Sequence, residues 1–396
     1  MAKKKKLSFG LVILYSFIFL IVGFGAGFAG RIYLFANSYI IPDTIHQSAN
    51  IAEGDVDVDV VKNQELSIHF LELGNKYTGD CVLIKVGDVE VLVDAGSRAN
   101  SVDTIYNYVS QYVVGALDYV IVTHAHQDHY AGFATGENTP SLFDKFNTKT
   151  VITFAKTNQK STSKLYSNFT RELNETKNDP AKQTGVYNAL ECYNQSVTGA
   201  QRVYDLGNNV SLQILYQKYY VENASSENDY SVCFMLNQND EKYYLFTGDL
   251  ETDGEASLVD EYKNEYGTDL PKMELYKAGH HGSKTSSSNK LLSVIDPEIV
   301  CICCCAGSSE YTANVNNQFP TQDFINRIAK YTTKVYLTTL CIDYTKGEFE
   351  SFNGNIIVYS NSTSQTFVAC ANNSTLLKDT DWFKQNRTCP AEWLAS

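Results

Sequence analysis

A mixed α/β chain, with two sheets packed as a sandwich and helices outside, is the fold class this sequence predicts. Three observations carry it. Short apolar runs of strand length recur from Leu66 to Tyr359, stretches of helix length separate several of them, and four runs are followed within a few residues by Asp or His. Strand-rich halves with interspersed helices suggest two sheets in a sandwich, with the helices outside. No repeat of solenoid period is present.

The chain has 396 residues and a formal charge of −13. Residues 1–35 hold five basic side chains and no acid, so the remainder stands at −18. So acidic a surface is a poor general-purpose nucleic-acid binder, because phosphate affinity rests largely on Lys and Arg. Lys3–Lys6 precede an apolar run from Leu11 to Ala29, about long enough to cross a bilayer as a helix. The lysines favour a cytoplasmic N-terminus, so residues 1–35 read as a single transmembrane anchor with everything after Arg31 outside the cell. Gly27-Phe28-Ala29 also fits a cleavage site, which leaves a secreted product as the alternative.

Residues 36–63 read as a polar linker, with acids alternating with valine at Asp55–Val61. From residue 64 the texture is globular. Ser67–Leu73 alternates as a strand, and Cys81–Val86 and Val89–Val93 flank the Gly87-Asp88 turn. Val102–Val113 reads as a helix and Leu117–Val122 as a buried strand. Residues 134–200, rich in Asn, Thr, Ser and Lys, read as an insertion over the site. Strands resume at Val203–Leu206, Val210–Tyr216, Ser231–Leu236 and Tyr243–Thr247. A helix follows over Glu251–Tyr266, then a strand at Met273–Lys277 and a helix at Asn289–Ser293. The last strands fall near Ile299–Cys305, Lys334–Thr338 and Asn355–Tyr359, and residues 361–396 form a polar tail. Of the ten cysteines, Cys370 and Cys389 could staple that tail if the chain is exported. Cys301-Ile302-Cys303-Cys304-Cys305 looks like a metal knuckle. Neighbouring residues on a strand point to opposite faces, however, so these cysteines read as small core residues.

The densest chemistry lies in Thr123-His124-Ala125-His126-Gln127-Asp128-His129-Tyr130-Ala131-Gly132, directly after the Leu117–Val122 strand. Three of only seven histidines and an aspartate sit within six positions, and imidazole with carboxylate suits zinc, manganese or iron. A polar loop whose histidines merely hydrogen-bond is the bland alternative. Three further strand ends carry similar residues: Asp94 in Val93-Asp94-Ala95-Gly96, Asp249 in Thr247-Gly248-Asp249, and His280 in Ala278-Gly279-His280-His281-Gly282-Ser283.

Together these motifs resemble the metallo-β-lactamase superfamily. The late run His280-His281-Gly282-Ser283-Lys284-Thr285-Ser286, with Ser231-Val232 before Gly248-Asp249, looks most like the hydrolase domain of ComEC-type competence proteins. The resemblance covers about residues 64–360 and implies a four-layer αββα sandwich holding one or two divalent ions, zinc or manganese. It implies that His124 and His126 hold the first ion, that Asp128, His129 and His280 hold the second, and that Asp249 bridges them. Water on such ions acidifies to a pKa of about 7. Asp94 would stand behind a ligand histidine and fix its tautomer; a plain turn aspartate is the alternative. His281 would protonate the leaving group, with Lys284 and Lys277 as local cations and Gly282–Ser286 as phosphate donors. Ser286–Ser288 also reads as a helix N-cap.

One departure stands out. The family usually gives the first ion a third histidine, yet none lies between His129 and His280. His46 and His69 are the only others, and His69 sits in a strand pattern as a core histidine. Asn228 and Asp229 could substitute, and oxygen ligation would move preference from zinc towards manganese.

Three functions follow as expectations. The first is a membrane-anchored, extracytoplasmic phosphodiesterase acting on DNA or a cell-envelope phosphodiester, with no protein partner inferred. The second keeps the ions but hydrolyses lactones, amides or thioesters. The third is a non-catalytic binding module on a degenerate metal site.

Overall fold

The computed structural model describes residues 64–394 except 114, 135–138, 161 and 362–364, together with the backbone of 45–47 and 55–56. The expected anchor over residues 1–35 and most of the 36–63 linker lie outside the described residues. Among the described residues no helix is long and apolar enough to cross a membrane.

The chain builds one sheet, then a second, then returns to the first. The first run holds β1 (Ile45–Gln47), β2 (Asp55–Val56), β3 (Leu66–Phe70), β4 (Val82–Val86), β5 (Val89–Val93), β6 (Ala116–Ile121), β7 (Asn147–Thr153) and β8 (Gly185–Asn188). The second holds β9 (Val203–Gly207), β10 (Val210–Leu215), β11 (Cys233–Gln238), β12 (Lys242–Phe246), β13 (Leu275–Lys277), β14 (Ile299–Ala306), β15 (Val335–Asp343) and β16 (Glu348–Ser351). β17 (Ile356–Ser360) and β18 (Phe367–Cys370) then close the first sheet. The ten-stranded sheet runs β2-β1-β18-β17-β3-β4-β5-β6-β7-β8, and the eight-stranded one runs β16-β15-β14-β13-β12-β11-β10-β9.

Alternation along each strand decides what faces what. Phe70 of β3 stacks on Phe246 of β12 at 6.4 Å, and Phe246 on Phe234 of β11 at 4.7 Å, which fixes the inner faces. One residue along, His69 points to the outer face, where its Nδ1 meets the Tyr108 hydroxyl at 2.8 Å and its Nε2 meets Ser67 Oγ at 2.8 Å. It is the satisfied core histidine the strand pattern predicts. Tyr108 belongs to the helix Ser101–Val109, which buries Val102, Ile105 and Val109 behind the first sheet. Behind the second sheet, Leu258, Leu291, Leu292 and Phe324 from three helices share one cluster with Met235, Leu245, Val300 and Ile302. Each such side chain contributes about 1.5–3 kcal/mol by leaving water.

Most strand limits fall within a residue or two of the sequence expectation, because apolar runs end where burial ends, but β3 stops short of Leu73, β15 runs past Thr338 to Asp343, and β16 and β18 have no counterpart in the sequence expectation. Two further stretches differ. Asn147–Thr153 and Gly185–Asn188, from the stretch expected to be an insertion, pair in parallel with β6 and with each other and continue the first sheet. Ile45–Gln47 and Asp55–Val56, within the expected linker, pair at the far edge of that sheet.

All eight residues of β14 are buried, so Cys301, Cys303, Cys304 and Cys305 are core residues. The ten cysteines are all free. The staple between Cys370 and Cys389 is not formed, since Cys370 lies on β18 of the first sheet while Cys389 packs against the cluster behind the second. The C-terminal tail is structured. Phe383 and Trp393 join that cluster. Arg387 donates to the carbonyls of Pro320 (Nε, 3.0 Å) and Gln318 (2.8 Å), and Trp382 lies so close to Gly307 that a Cβ there would meet its indole nitrogen at 2.4 Å. The tail thus straps down the loop that follows β14.

Candidate metal centre

Three parallel pairings bring the chemistry together. β5 pairs with β6, β12 with β13, and β13 with β14, and the functional residues follow the carboxyl ends of these strands. Asp94 follows β5, Thr123 and His124 follow β6, Asp249 follows β12, and His280 and His281 follow β13. Turning the chain this sharply takes unusual backbone. Asp94 sits at φ 58°, a left-handed conformation that aspartate tolerates better than most residues. Gly248 sits at φ 54°, and a Cβ there would lie 2.8 Å from Ser231 Oγ, the atom that accepts the Asp249 N–H at 3.0 Å. His280 (φ 46°) and His281 (φ 53°) are left-handed in succession, strain that persists only where the surroundings hold it.

The donor atoms converge on Asp249. His129 Nε2 lies 3.1 Å from Asp249 Oδ2, and His124 Nε2 lies 4.0 Å from it. His281 Nε2 stands 3.3 Å from Asp128 Oδ2 and 3.4 Å from Asp249 Oδ2. The ligand atoms of His124, His129 and Asp249, and those of Asp128, His129 and His281, each fall within 4.8 Å of one another. His126 Nδ1 touches His124 Nε2 at 3.1 Å. Two buried atoms aimed into this space, Asp249 Oδ1 and His281 Nε2, meet hydrogen-bond geometry with nothing. Buried polar atoms rarely stay unpaired, so the donor set fits one or two divalent cations.

Behind the donors a row of acceptors fixes each tautomer. His129 Nδ1–H donates to Asp94 Oδ2 at 2.8 Å, while Asp94 also accepts from Thr123 N at 2.8 Å and Thr123 Oγ1 at 2.7 Å. Asp94 thus stands directly behind the His129 ring. His281 Nδ1–H donates to the Cys303 carbonyl at 2.9 Å, with Asp80 Oδ1 at 3.2 Å. A carbonyl can only accept, so His281 presents an unprotonated Nε2 to the cavity when neutral. Asp80 is in turn paired with Lys277, Nζ to Oδ2 2.5 Å, and both are buried.

These contacts place His281, rather than His280, beside the other candidate donors. His281, expected to be the leaving-group acid, is fully enclosed among Asp80, Asp128 and Asp249 in the ligand position. His280, expected to be the ligand, is half-buried at the cavity wall, with its Nδ1 3.2 Å from Thr285 Oγ1 and 3.4 Å from Asn228 Nδ2. Asp229 does not reach His124 and His126, because its carboxylate caps the Glu251 N–H at 3.3 Å. Lys284 is exposed and donates to Asn317 Oδ1, and Lys277 lies beneath the centre. Neither lysine faces the cavity. Ser288 caps the helix Asn289–Ile295, as expected.

Burial opposes charge on every group here, and its neighbours decide the outcome. Burial alone would lower His281, but the Asp249 and Asp80 carboxylates push it up to about 10, and Asp249 with Asp94 raises His129 well above the usual range. His124 is held well below that range by burial and by His129 beside it. Asp249, despite burial, is held far below the carboxylate range by His129 and His281. Without metal, two protonated imidazoles supply the positive charge that the carboxylates would otherwise draw from a cation.

The donors open on a cavity of about 330 Å³ whose walls include His126, Asp128, Asp249, His280, Arg98 and Tyr311. A larger groove of about 490 Å³ runs past Lys242, Lys272, Asp296, Glu298 and Lys334; Lys272 pairs with Asp296, Lys334 with Glu298, Lys242 donates to the Asn361 carbonyl, and no histidine lines it. Sequence reasoning missed Asp80, Arg98 and Tyr311, each on a turn without a periodic signal.

Residues 71–285, more than half of the chain, match the sequence family described as Anti-Pycsar protein Apyc1. The chain belongs to that family. The family match includes Asp80, Asp94, the histidine loop, Asp249, His280 and His281. The Apyc1-family chain is also 41% identical over 96 residues to the competence protein ComA of Neisseria gonorrhoeae, a match covering 24% of this chain and 12% of that protein. This supports the competence-protein resemblance over that stretch, and the chain spans only about an eighth of that relative's length. Similar solved structures include the metallo-β-lactamase fold protein YhfI from Bacillus subtilis, at 11% identity and TM-score 0.38, covering 72% of this chain and 99% of that one. A metallo-β-lactamase from Cronobacter sakazakii matches at 18% identity and TM-score 0.30, covering 52% of this chain and 74% of that one.

Proposed function

We propose that the chain is a metal-dependent phosphodiesterase that holds one or two divalent ions, zinc or manganese, on His124, His126, Asp128, His129, His281 and Asp249. The observation that carries this reading is the convergence of Asp128, His129 and His281 on Asp249, with Asp249 Oδ1 and His281 Nε2 buried and without a hydrogen-bond partner. When bound, such ions acidify water and neutralise the charge that gathers on phosphoryl oxygens.

The chain's own residues do the rest. Asp94 and the Cys303 carbonyl hold the Nδ1 protons of His129 and His281, so both Nε2 atoms face inward without rearranging. Thr123 and Ser231 lock Asp94 and Asp249 onto their strand ends. Arg98 puts a fixed cation in the cavity wall, which favours an anionic substrate over a neutral ester or lactone. The charge of −18 outside residues 1–35 favours a small or cell-surface phosphodiester over long duplex DNA. The lysines at 3–6 and the apolar run Leu11–Ala29 support a membrane anchor with the hydrolase outside the cytoplasm. The two facing sheets with outer helices support the αββα arrangement.

Metal analysis of the purified full chain, alongside hydrolysis of bis(p-nitrophenyl) phosphate with zinc and with manganese, tests the reading. Bound metal and phosphodiester turnover are expected. No turnover with either ion, while a carboxylic ester or lactone is cleaved, would overturn it.

A further inference from the structure

Of the lysines and arginines among the described residues, only Arg98 lines the metal cavity. Its guanidinium is already held in place. It lies 4.1 Å over the Tyr77 ring, bonds Glu310 Oε1 at 2.6 Å and donates to the Ser97 carbonyl. The Glu310 side chain is 5% exposed and takes the Thr78 N–H at 2.9 Å, so little water competes for the brace. The next residue, Tyr311, lines the same cavity and donates its hydroxyl to Asp128 Oδ2 at 2.7 Å. Two consecutive residues of the loop after β14 therefore serve one place: Glu310 aims a cation, and Tyr311 sets a neutral donor beside a candidate metal ligand.

We propose that Arg98, aimed by Glu310 and Tyr77, recognises the anionic phosphoryl group of the substrate, and that the Tyr311 hydroxyl, whose single proton goes to Asp128 in the empty site, turns to donate it to the same group. This rests on the phosphodiesterase reading and names residues that reading alone does not require. A guanidinium presents two parallel N–H groups to phosphate, and one already oriented loses little entropy on binding. No lysine replaces it, since Lys277 is sealed in its pair with Asp80 and Lys284 turns to Asn317.

The test compares the metal-loaded full chain with its Arg98→Met, Glu310→Gln and Tyr311→Phe variants. Its readouts are the dissociation constant of inorganic phosphate by calorimetry, the steady-state kinetics of bis(p-nitrophenyl) phosphate, and metal content. Arg98→Met should weaken phosphate binding about tenfold and raise KM more than it lowers kcat, with metal content intact. Glu310→Gln keeps the cation but loosens its aim, so it should weaken phosphate by a smaller factor of about three to five. Tyr311→Phe should lie in the same range. Phosphate affinity at the wild-type value in both Arg98→Met and Glu310→Gln overturns the proposal. If the chain cleaves no phosphodiester yet binds phosphate in an Arg98-dependent way, the functional reading fails and the anion site stands.

Discussion

On one side of Asp249 stand Asp128, His129 and His281, and each has something behind it: Tyr311 on Asp128, Asp94 on His129, and Asp80 with the Cys303 carbonyl on His281. On the other side stand His124 and His126, 3.1 Å apart; His124 Nδ1 has the neutral Thr123 hydroxyl at 3.3 Å, His126 is only half-buried, and among the described residues no carboxylate stands behind either ring. The difference teaches that ligand type alone does not make a site strong. A braced imidazole keeps its tautomer and its direction, whereas an unbraced one must be ordered by the ion it binds. The ion on the braced side should be the tight one, and the ion beside His124 and His126 the exchangeable one.

The comparison breaks most completely at Asp249, the carboxylate both sides share. Asp249→Asn should strip metal from both and lower kcat/KM by about a thousandfold or more, read by elemental analysis and turnover. Two ions retained per chain would mean the sides are independent.

Next come the adjacent histidines. His281→Ala should remove the tight ion, while His280→Ala should keep metal content and alter only substrate kinetics. The reverse pattern in the same metal assay would restore the sequence assignment of His280.

Removing a brace rather than a ligand should cost less. Asp94→Asn and Asp80→Asn should each weaken the tight ion by about 10–100-fold, measured by competition with a chelating dye. An unchanged affinity would show that the bracing contacts do not set strength.

The mildest probe is pH. His281 is raised in the folded chain from 6.5 to about 10, so in metal-free protein its ion pairs stabilise fully below 6.5. That stabilisation is lost as pH rises from 6.5 through about 10. Metal-free protein should therefore melt at falling temperatures over that window, while the metal-loaded form, whose ligands bind deprotonated, should not. Parallel pH dependence in thermal scans of the two forms would contradict the braced-side account.

How much of this was legible follows from where the signals are local. Strands announce themselves by apolar runs, and Asp94, His124, Asp128 and Asp249 follow such runs by one or a few residues, so strand and donor were read together. The choice between His280 and His281 was not legible, because both sit in left-handed backbone where neither helical nor strand periodicity assigns a face. Tyr311 reaches Asp128 across 183 residues from a loop with no pattern of its own. β7 and the edge strand β8 were hidden for a different reason: Asn147-Thr148-Lys149-Thr150 is polar with two exposed residues, and all four residues of Gly185–Asn188 are half-exposed, so sheet pairing rather than burial defines them.

The strap formed by Trp382 and Arg387 has a consequence in time. Every donor to the cluster lies between Asp80 and His281, so all of them have been synthesised about a hundred residues before Arg387. At ribosomal speeds that interval is roughly 5–20 s. A nascent chain thus carries a full set of metal donors while the loop bearing Glu310 and Tyr311 still lacks its fastening, and the capacity to hold an ion precedes the finished wall that would select what the ion meets.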